Sequence, residues 1–361
     1  MTTSPSKYTF LFALILSLLF APSTIHAKPK YLFKIASLAP AGSVWAQRFD
    51  DFSREVLEKT NGEVGFKVYP GGVMGNELAV YRKMRIGQLQ GGGFTMSGIS
   101  EVVDDFRIMG LPFLFDSYEE VDWVKKGLWP HFKKAFAEKG MVLIAMTEVG
   151  FVYAMSTWPI TSLGDMQKSK TWLPEGDKIS PAYLKTAGVS GTVLSIPDVL
   201  TSLQTGLIDT VFNSFYGTIV MQWFTQAKYI SDIPFGYAYG AFLVSNKKFS
   251  RLPATYRSLI ESSAQKHFEI LMRDTRTSNR EALDVLKKNG VQMVTVDATS
   301  IEKLHSFRLE SVKGIIGTAF SRSIYNETLK HLDTYRSQSK QSQFSNPQNG
   351  FVGALVPSEN N

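Results

Sequence analysis

The sequence predicts an α/β protein of two domains, on three observations. Residues 31–38 alternate as a strand, residues 44–59 repeat Trp45, Phe49, Phe52 and Val56 at helical spacing, and residues 64–69 alternate again. Such a βαβ opening implies a parallel sheet. The chain has 361 residues, 44% of them hydrophobic, which is enough for a large core and long enough for two domains. One helical pattern then fills residues 252–288, about 35 residues, with Tyr256, Leu259, Ile260, Phe268, Leu271, Leu283 and Leu286 as its apolar set and Asn289-Gly290 as its stop. At ~1.5 Å per residue it is roughly 50 Å long, more than one small domain needs.

Taken in order, the chain begins with Lys7, an uncharged apolar run over residues 10–21, and Thr24-Ile-His-Ala27. This is the layout of a secretory signal peptide cleaved after Ala27. The run is 12 residues, short of the ~20 that a transmembrane helix needs. The chain has no cysteine, which removes disulfides, a thiol nucleophile and a lipid-anchor acceptor, and suits an oxidising compartment. The formal charge of +7 falls to +6 without residues 1–27, where Lys7 is the one charged residue. The lysines occur as scattered pairs with acidic residues between them, not as a basic stripe, so solvated helix faces explain them and nucleic acid does not.

Ser43 can cap the first helix after the loop Ala39-Pro-Ala-Gly-Ser43. Gly93 and Gly98 sit at the spacing of a phosphate loop, but Ile99 stands where the essential lysine belongs, so nucleotide binding is rejected and no cofactor is expected. Helices are expected over residues 117–126 and 129–139, a buried strand over 141–146, and an extended continuation through residues 148–153. Ser195, Pro197 and Asp198 read as the start of a short helix with Gly206 at its end. A strand over residues 207–212 follows, closing on Asn213 and Ser214, where polar side chains at a strand's carboxyl end meet ligands in α/β proteins. A last strand is expected over 291–296, then helices to about residue 337. Residues 338–361, rich in Ser, Gln, Asn and Pro, read as a mobile tail.

The run Leu203-Gln-Thr-Gly-Leu-Ile-Asp209 followed by Asn213 resembles the "ALQTGvvDGqeN" signature of the substrate-binding proteins of TRAP transporters, the tripartite ATP-independent periplasmic family also called DctP-like. Thr60-Asn-Gly62, Tyr69-Pro70 with Met74-Gly75, Leu111-Pro-Phe-Leu-Phe115, Trp158-Pro-Ile160 with Asp165, and Leu243-Val-Ser-Asn246 with Leu252-Pro253 fall in the family's order. The resemblance covers nearly the whole mature chain and implies a two-lobed periplasmic binding protein fold, with a ligand cleft between the lobes and a long helix bracing both. It implies lobe I from residues 31–150 plus 240–277, lobe II from 151–239 plus 278–335, and a tail over 336–361.

The implied role is capture of a small ligand by hinge closure and delivery to the membrane subunits of a TRAP permease. Family members that carry organic acids typically have "KiRvP" before the signature helix, the arginine clamping the substrate carboxylate in a bidentate pair. Here the matching residues are Lys170-Thr-Trp-Leu-Pro174, with Trp172 in the arginine's place. A tryptophan there suits a hydrophobic or weakly polar ligand, or stacking on a cation. Phe151, Tyr153, Phe212 and Tyr239 would extend such a lining, with Trp45, Ser97 and Asn213 as further ligand-binding candidates. Glu175 and Asp177 are expected on a solvated loop. A branch of the family that works with a periplasmic tetratricopeptide-repeat partner also lacks the arginine. The alternatives are an organic carboxylate held by Lys170 and Asn213, and a periplasmic enzyme or sensor on a binding-protein scaffold. The four mature histidines lack metal-ligand spacing and there is no Gly-x-Ser-x-Gly elbow, so no catalytic or metal residues are expected.

Overall fold

A computed structural model describes residues 28–345. The expected signal peptide, residues 1–27, and the last part of the expected tail, residues 346–361, lie outside the described residues.

The chain opens with β1 (Tyr31–Ala36), α1 (Val44–Lys59) and β2 (Val64–Tyr69), and the Ser43 hydroxyl accepts the Ala46 N–H at the head of α1. Then come α2 (Glu77–Arg85), β3 (Gly91–Thr95), α3 (Met96–Ile99), α4 (Tyr118–Glu138) and β4 (Met141–Ser156). The second half holds α5 (Leu163–Lys168), β5 (Thr171–Pro174), α6 (Ile179–Thr186), β6 (Gly191–Leu194), α7 (Val199–Gln204), β7 (Thr210–Asn213) and α8 (Phe215–Val220). The chain continues through β8 (Tyr229–Ser245), α9 (Asn246–Phe249), α10 (Ala254–Lys288), β9 (Gln292–Val294), α11 (Ala298–Lys313) and α12 (Arg322–Ser345).

The strands form one nine-stranded sheet in the order β2-β1-β3-β8-β4-β7-β5-β6, with β9 also on β8. Its parallel βαβ opening pairs β1 with β2 over six residues. The antiparallel strands β4 and β8, 16 and 17 residues long, tie the two halves together. On one side β3 pairs with the carboxyl end of β8, and on the other β7 pairs with the carboxyl end of β4. Between these ends the β4–β8 ladder shifts register at Glu148/Gly150, Val152/Tyr153 and Tyr153/Met155. Bulges of this kind bend a strand pair and raise its twist.

Helix α10 is one unbroken helix of 35 residues. Its first half packs Ile260, Ala264, Phe268 and Leu271 with Phe33, Phe52 and Phe242, and its last turns place Leu286 beside Trp172 and Val211. It thus spans the cores of both halves. Midway, Arg276 donates to both carboxylate oxygens of Asp122 (2.8 Å each) and to Glu148 (2.8 and 2.9 Å), while the Tyr237 hydroxyl donates to Glu148 at 2.8 Å. The guanidinium also lies over the Tyr118 ring, 4.4 Å from its centroid. Burial opposes the Arg276 charge, but these carboxylates outweigh it and raise its pKa.

Three expectations are corrected. The two helices expected over residues 117–139 are one, because the buried stripe Val121, Val124, Leu128, Phe132 and Phe136 keeps its helical period across Pro130. The strand expected from residue 207 starts at Thr210, with Leu207 exposed and only Ile208 in the core. The polar tail is helical as far as Ser345 because Arg336 anchors it, donating to Glu120 (2.7 and 2.9 Å), Asp116 (2.9 Å) and the Leu114 carbonyl (3.2 Å).

Candidate functional site

A cavity of about 290 Å³ lies where the two halves of the sheet meet. The crossing strands supply its floor with Glu148, Val149, Val152, Phe235 and Gly236. Trp45, Phe49, Phe94 and Ser97 line it from one half, Trp172, Phe212, Asn213 and Trp223 from the other.

Trp172 is central to the apolar wall. It is buried, meets Trp223 edge to face at 5.2 Å, and gives its Nε1–H to the Leu194 carbonyl at 3.0 Å. Its single donor is therefore spent on the backbone, and the ligand is offered carbon. Trp45 likewise donates to the Glu148 carbonyl (2.9 Å) and packs on Tyr216. Phe212 packs edge-on against Phe235. Tyr239 lines the cavity with its ring, its hydroxyl donating to the Phe106 carbonyl and accepting the Met109 N–H. The Asn213 carbonyl oxygen accepts the Ser214 N–H at 2.9 Å.

Phe151 and Tyr153 are not lining residues. The register shifts of β4 at Glu148/Gly150 and Val152/Tyr153 reset which side chains face the cavity, and it is Val152, between Phe151 and Tyr153, that reaches it. Phe151 packs on Tyr118 and Tyr237, and Tyr153 stacks on Phe215 at 4.2 Å. Lys170 is also elsewhere: it precedes β5, is exposed, and donates to the Gly206 carbonyl at 3.1 Å. It does not stand in for an arginine.

Four carboxyl residues line the cavity, Glu77, Glu148, Glu175 and Asp177, and among the described residues no Lys, Arg or His does. Glu175 and Asp177, expected in solvent, are brought in because their segment folds against the other half. Glu175 accepts from the Asn76 side chain at 2.7 Å, and Lys178 reaches Asp104 at 3.2 Å. Gly176, at φ +81°, lies so close to Ser97 that a Cβ would stand 2.7 Å from its carbonyl oxygen. Nearby the Val44 N–H donates to the Tyr216 hydroxyl at 2.9 Å, a further tie between the halves. Asp177 accepts the Ile179 N–H at 2.8 Å and so serves as a local cap. Glu77 is buried, accepting the N–H and hydroxyl of Thr95. Burial pushes its carboxyl up to about 7, with the charge of Glu175 adding to the rise and the Thr95 bonds opposing it.

Asn76 also caps α2, its carbonyl oxygen accepting the Ala79 N–H at 3.0 Å. Asn76→Asp keeps that cap but sets two carboxylates face to face. The contact between the halves should weaken by ~1 kcal/mol, about fivefold in the ratio of joined to parted halves. Small-angle scattering should then show a larger radius of gyration for the variant than for the wild type.

Residues 35–313 match the family model of bacterial extracellular solute-binding proteins, family 7. The chain is 23% identical over 263 residues to the C4-dicarboxylate-binding periplasmic protein DctP of Rhodobacter capsulatus, covering 72% of this chain and 78% of that one. A solute-binding protein of Chromohalobacter salexigens is 27% identical over 168 residues, and there the match spans only about half of each chain, 46% and 50%. Among solved structures, a TRAP periplasmic solute-binding protein from Desulfovibrio salexigens with bound orotic acid has a TM-score of 0.79 at 21% identity, covering 85% of this chain and 99% of that one. A sugar acid binding protein from Advenella mimigardefordensis in complex with galactonate has a TM-score of 0.80 at 19% identity, with the same coverage of 85% and 99%.

Proposed function

We infer the role of the protein from one premise: the chain belongs to family 7 of the bacterial extracellular solute-binding proteins. It is a periplasmic receptor of the TRAP type, a binding protein and not an enzyme, which captures a small organic acid between its halves, closes over it and delivers it to membrane subunits. The observation that carries this reading is the cavity with walls from both halves, so that ligand contacts favour the closed form. Among the described residues no helix is long and apolar enough to cross a membrane. In this reading, which rests on the family, the membrane step belongs to partner subunits.

Trp172 alone points to a hydrophobic or weakly polar ligand. The molecules held by the solved relatives, orotic acid and galactonate, favour the organic carboxylate instead. A neutral aromatic or lipid-like ligand stays as the second reading because no cationic side chain lines the cavity among the described residues. A tetratricopeptide-repeat partner rests on the sequence alone. We place the hinge at the β4–β8 register shifts, which divides residues 31–150 with 240–277 from residues 151–239 with 278–311. The expected bound at residue 335 is corrected, because Val312, Ala319, Phe320, Ile324 and Leu332 pack with Phe106, Phe132 and Phe136 in the first half.

Mass spectrometry of the compound released by denaturing and extracting the purified protein tests the ligand. Recovery of an organic acid is the expected result. A neutral compound, with no acid, would replace the first reading by the second.

A further inference from the structure

An organic acid brings a negative charge into a cleft that, among the described residues, no lining cation neutralises. Arg276 is committed to Asp122 and Glu148. Arg107 is buried behind the lining residues Asp177 and Tyr239, whose charges act on it; it gives its Nη1 to the Ala319 carbonyl (2.7 Å) and Asp104 (3.0 Å), keeps Nε and Nη2 without a hydrogen-bond partner among the described residues, and does not itself line the cavity. Glu148 has its cation in Arg276, Glu175 is held by Asn76, and Asp177 caps its own helix. Glu77 is the lining carboxyl with neither a cation nor a solvated position: it is 8% exposed, and its two bonds come from uncharged donors of Thr95.

We propose that Glu77 meets the ligand's carboxylate as a hydrogen-bond donor, in its protonated form. This rests on the organic-acid reading above. Each Glu77 oxygen accepts one bond from Thr95, which leaves one lone-pair direction on each for a proton. The Thr95 hydroxyl accepts the Gly98 N–H at 3.1 Å, so its own proton is directed to Glu77 and does not compete for the ligand. Room for the carboxyl comes from Gly98, where a Cβ would stand 2.1 Å from Oε2.

The charged groups around Glu77 favour the proton. From the segment after β5, Glu175 faces it across the cleft and Asp177 lines the same cavity. From β3 and α3 come the uncharged Thr95, Ser97 and Gly98. Lys83, further along α2, gives its ammonium to the Met74 carbonyl at 2.6 Å. With its carboxyl pushed up to about 7, Glu77 holds a proton about half the time at neutral pH. Below that pH the proton is in place when the ligand arrives. Above it one proton enters from solvent with each ligand. The O–H donated to a carboxylate is a charge-assisted bond, among the stronger kinds.

Isothermal calorimetry of the whole protein with orotate, galactonate and any acid recovered by extraction, in two buffers of different ionisation enthalpy, tests this. The dissociation constant should rise about tenfold per pH unit above about pH 7, with uptake approaching one proton per ligand. Glu77→Gln, of the same shape and always neutral, should bind with an affinity flat over the same range. The wild-type series stands without the variant. Acid binding that is flat in pH, with no proton exchanged, would overturn the role of Glu77 and leave the organic-acid receptor intact. Failure of every acid to bind at any pH would overturn both.

Discussion

Arg276→Met is expected to cost the protein about 3 to 4 kcal/mol of stability, read as a lowered urea midpoint with an unchanged slope. The cost arises less from the lost attraction than from what is left behind. Glu148 has a fully buried side chain, and without the guanidinium it keeps only the Tyr237 hydroxyl. A buried carboxylate left without its cation carries an uncompensated desolvation cost. Asp122 is partly solvated and suffers less. The double variant Arg276→Met, Glu148→Gln should therefore recover much of the loss, since removing both charges removes the unpaired one. Additivity of the two single changes would contradict this account of the site.

Trp172→Ala should cost about 3 to 4 kcal/mol as well, by emptying the space beside Trp223, Val199 and Val211 and by orphaning the Leu194 carbonyl. Because the same indole lines the cleft, the variant should also bind at least ~10-fold more weakly. Trp172→Phe separates the two effects. It retains most of the apolar wall and loses only the bond to Leu194, so its melting point should fall by the equivalent of ~1 kcal/mol while ligand affinity changes little. An affinity loss in the Phe variant as large as in the Ala variant would mean that the indole N–H, and not its carbon face, serves the ligand.

Periodic features were readable in the residues. The apolar set of α10 repeats at helical spacing for its whole length, so its reach across both halves follows from counting. The motif residues Asn213 and Trp172 reach the cavity because each ends or occupies a short strand whose direction the neighbouring helices fix. Phe151 and Tyr153 misled because phase in β4 is reset by bulges, and bulges leave no mark in an alternating pattern. Glu77 was invisible for another reason. On a helix with Arg82, Lys83 and Arg85 it reads as one more solvated charge, and only the approach of Gly98 and Thr95, about 20 residues away, buries it.

The two long strands that run through both halves also bear on how such a receptor can be rebuilt. Each half draws on separated stretches of chain, joined through β4, β8 and α10. No single cut yields a fragment with a complete sheet edge and its own covering helices. Recombination between two such receptors at one crossover point would splice mismatched strand registers into the shared ladder. Ligand preference in this architecture is therefore free to drift residue by residue around the cleft, but not by exchange of whole halves.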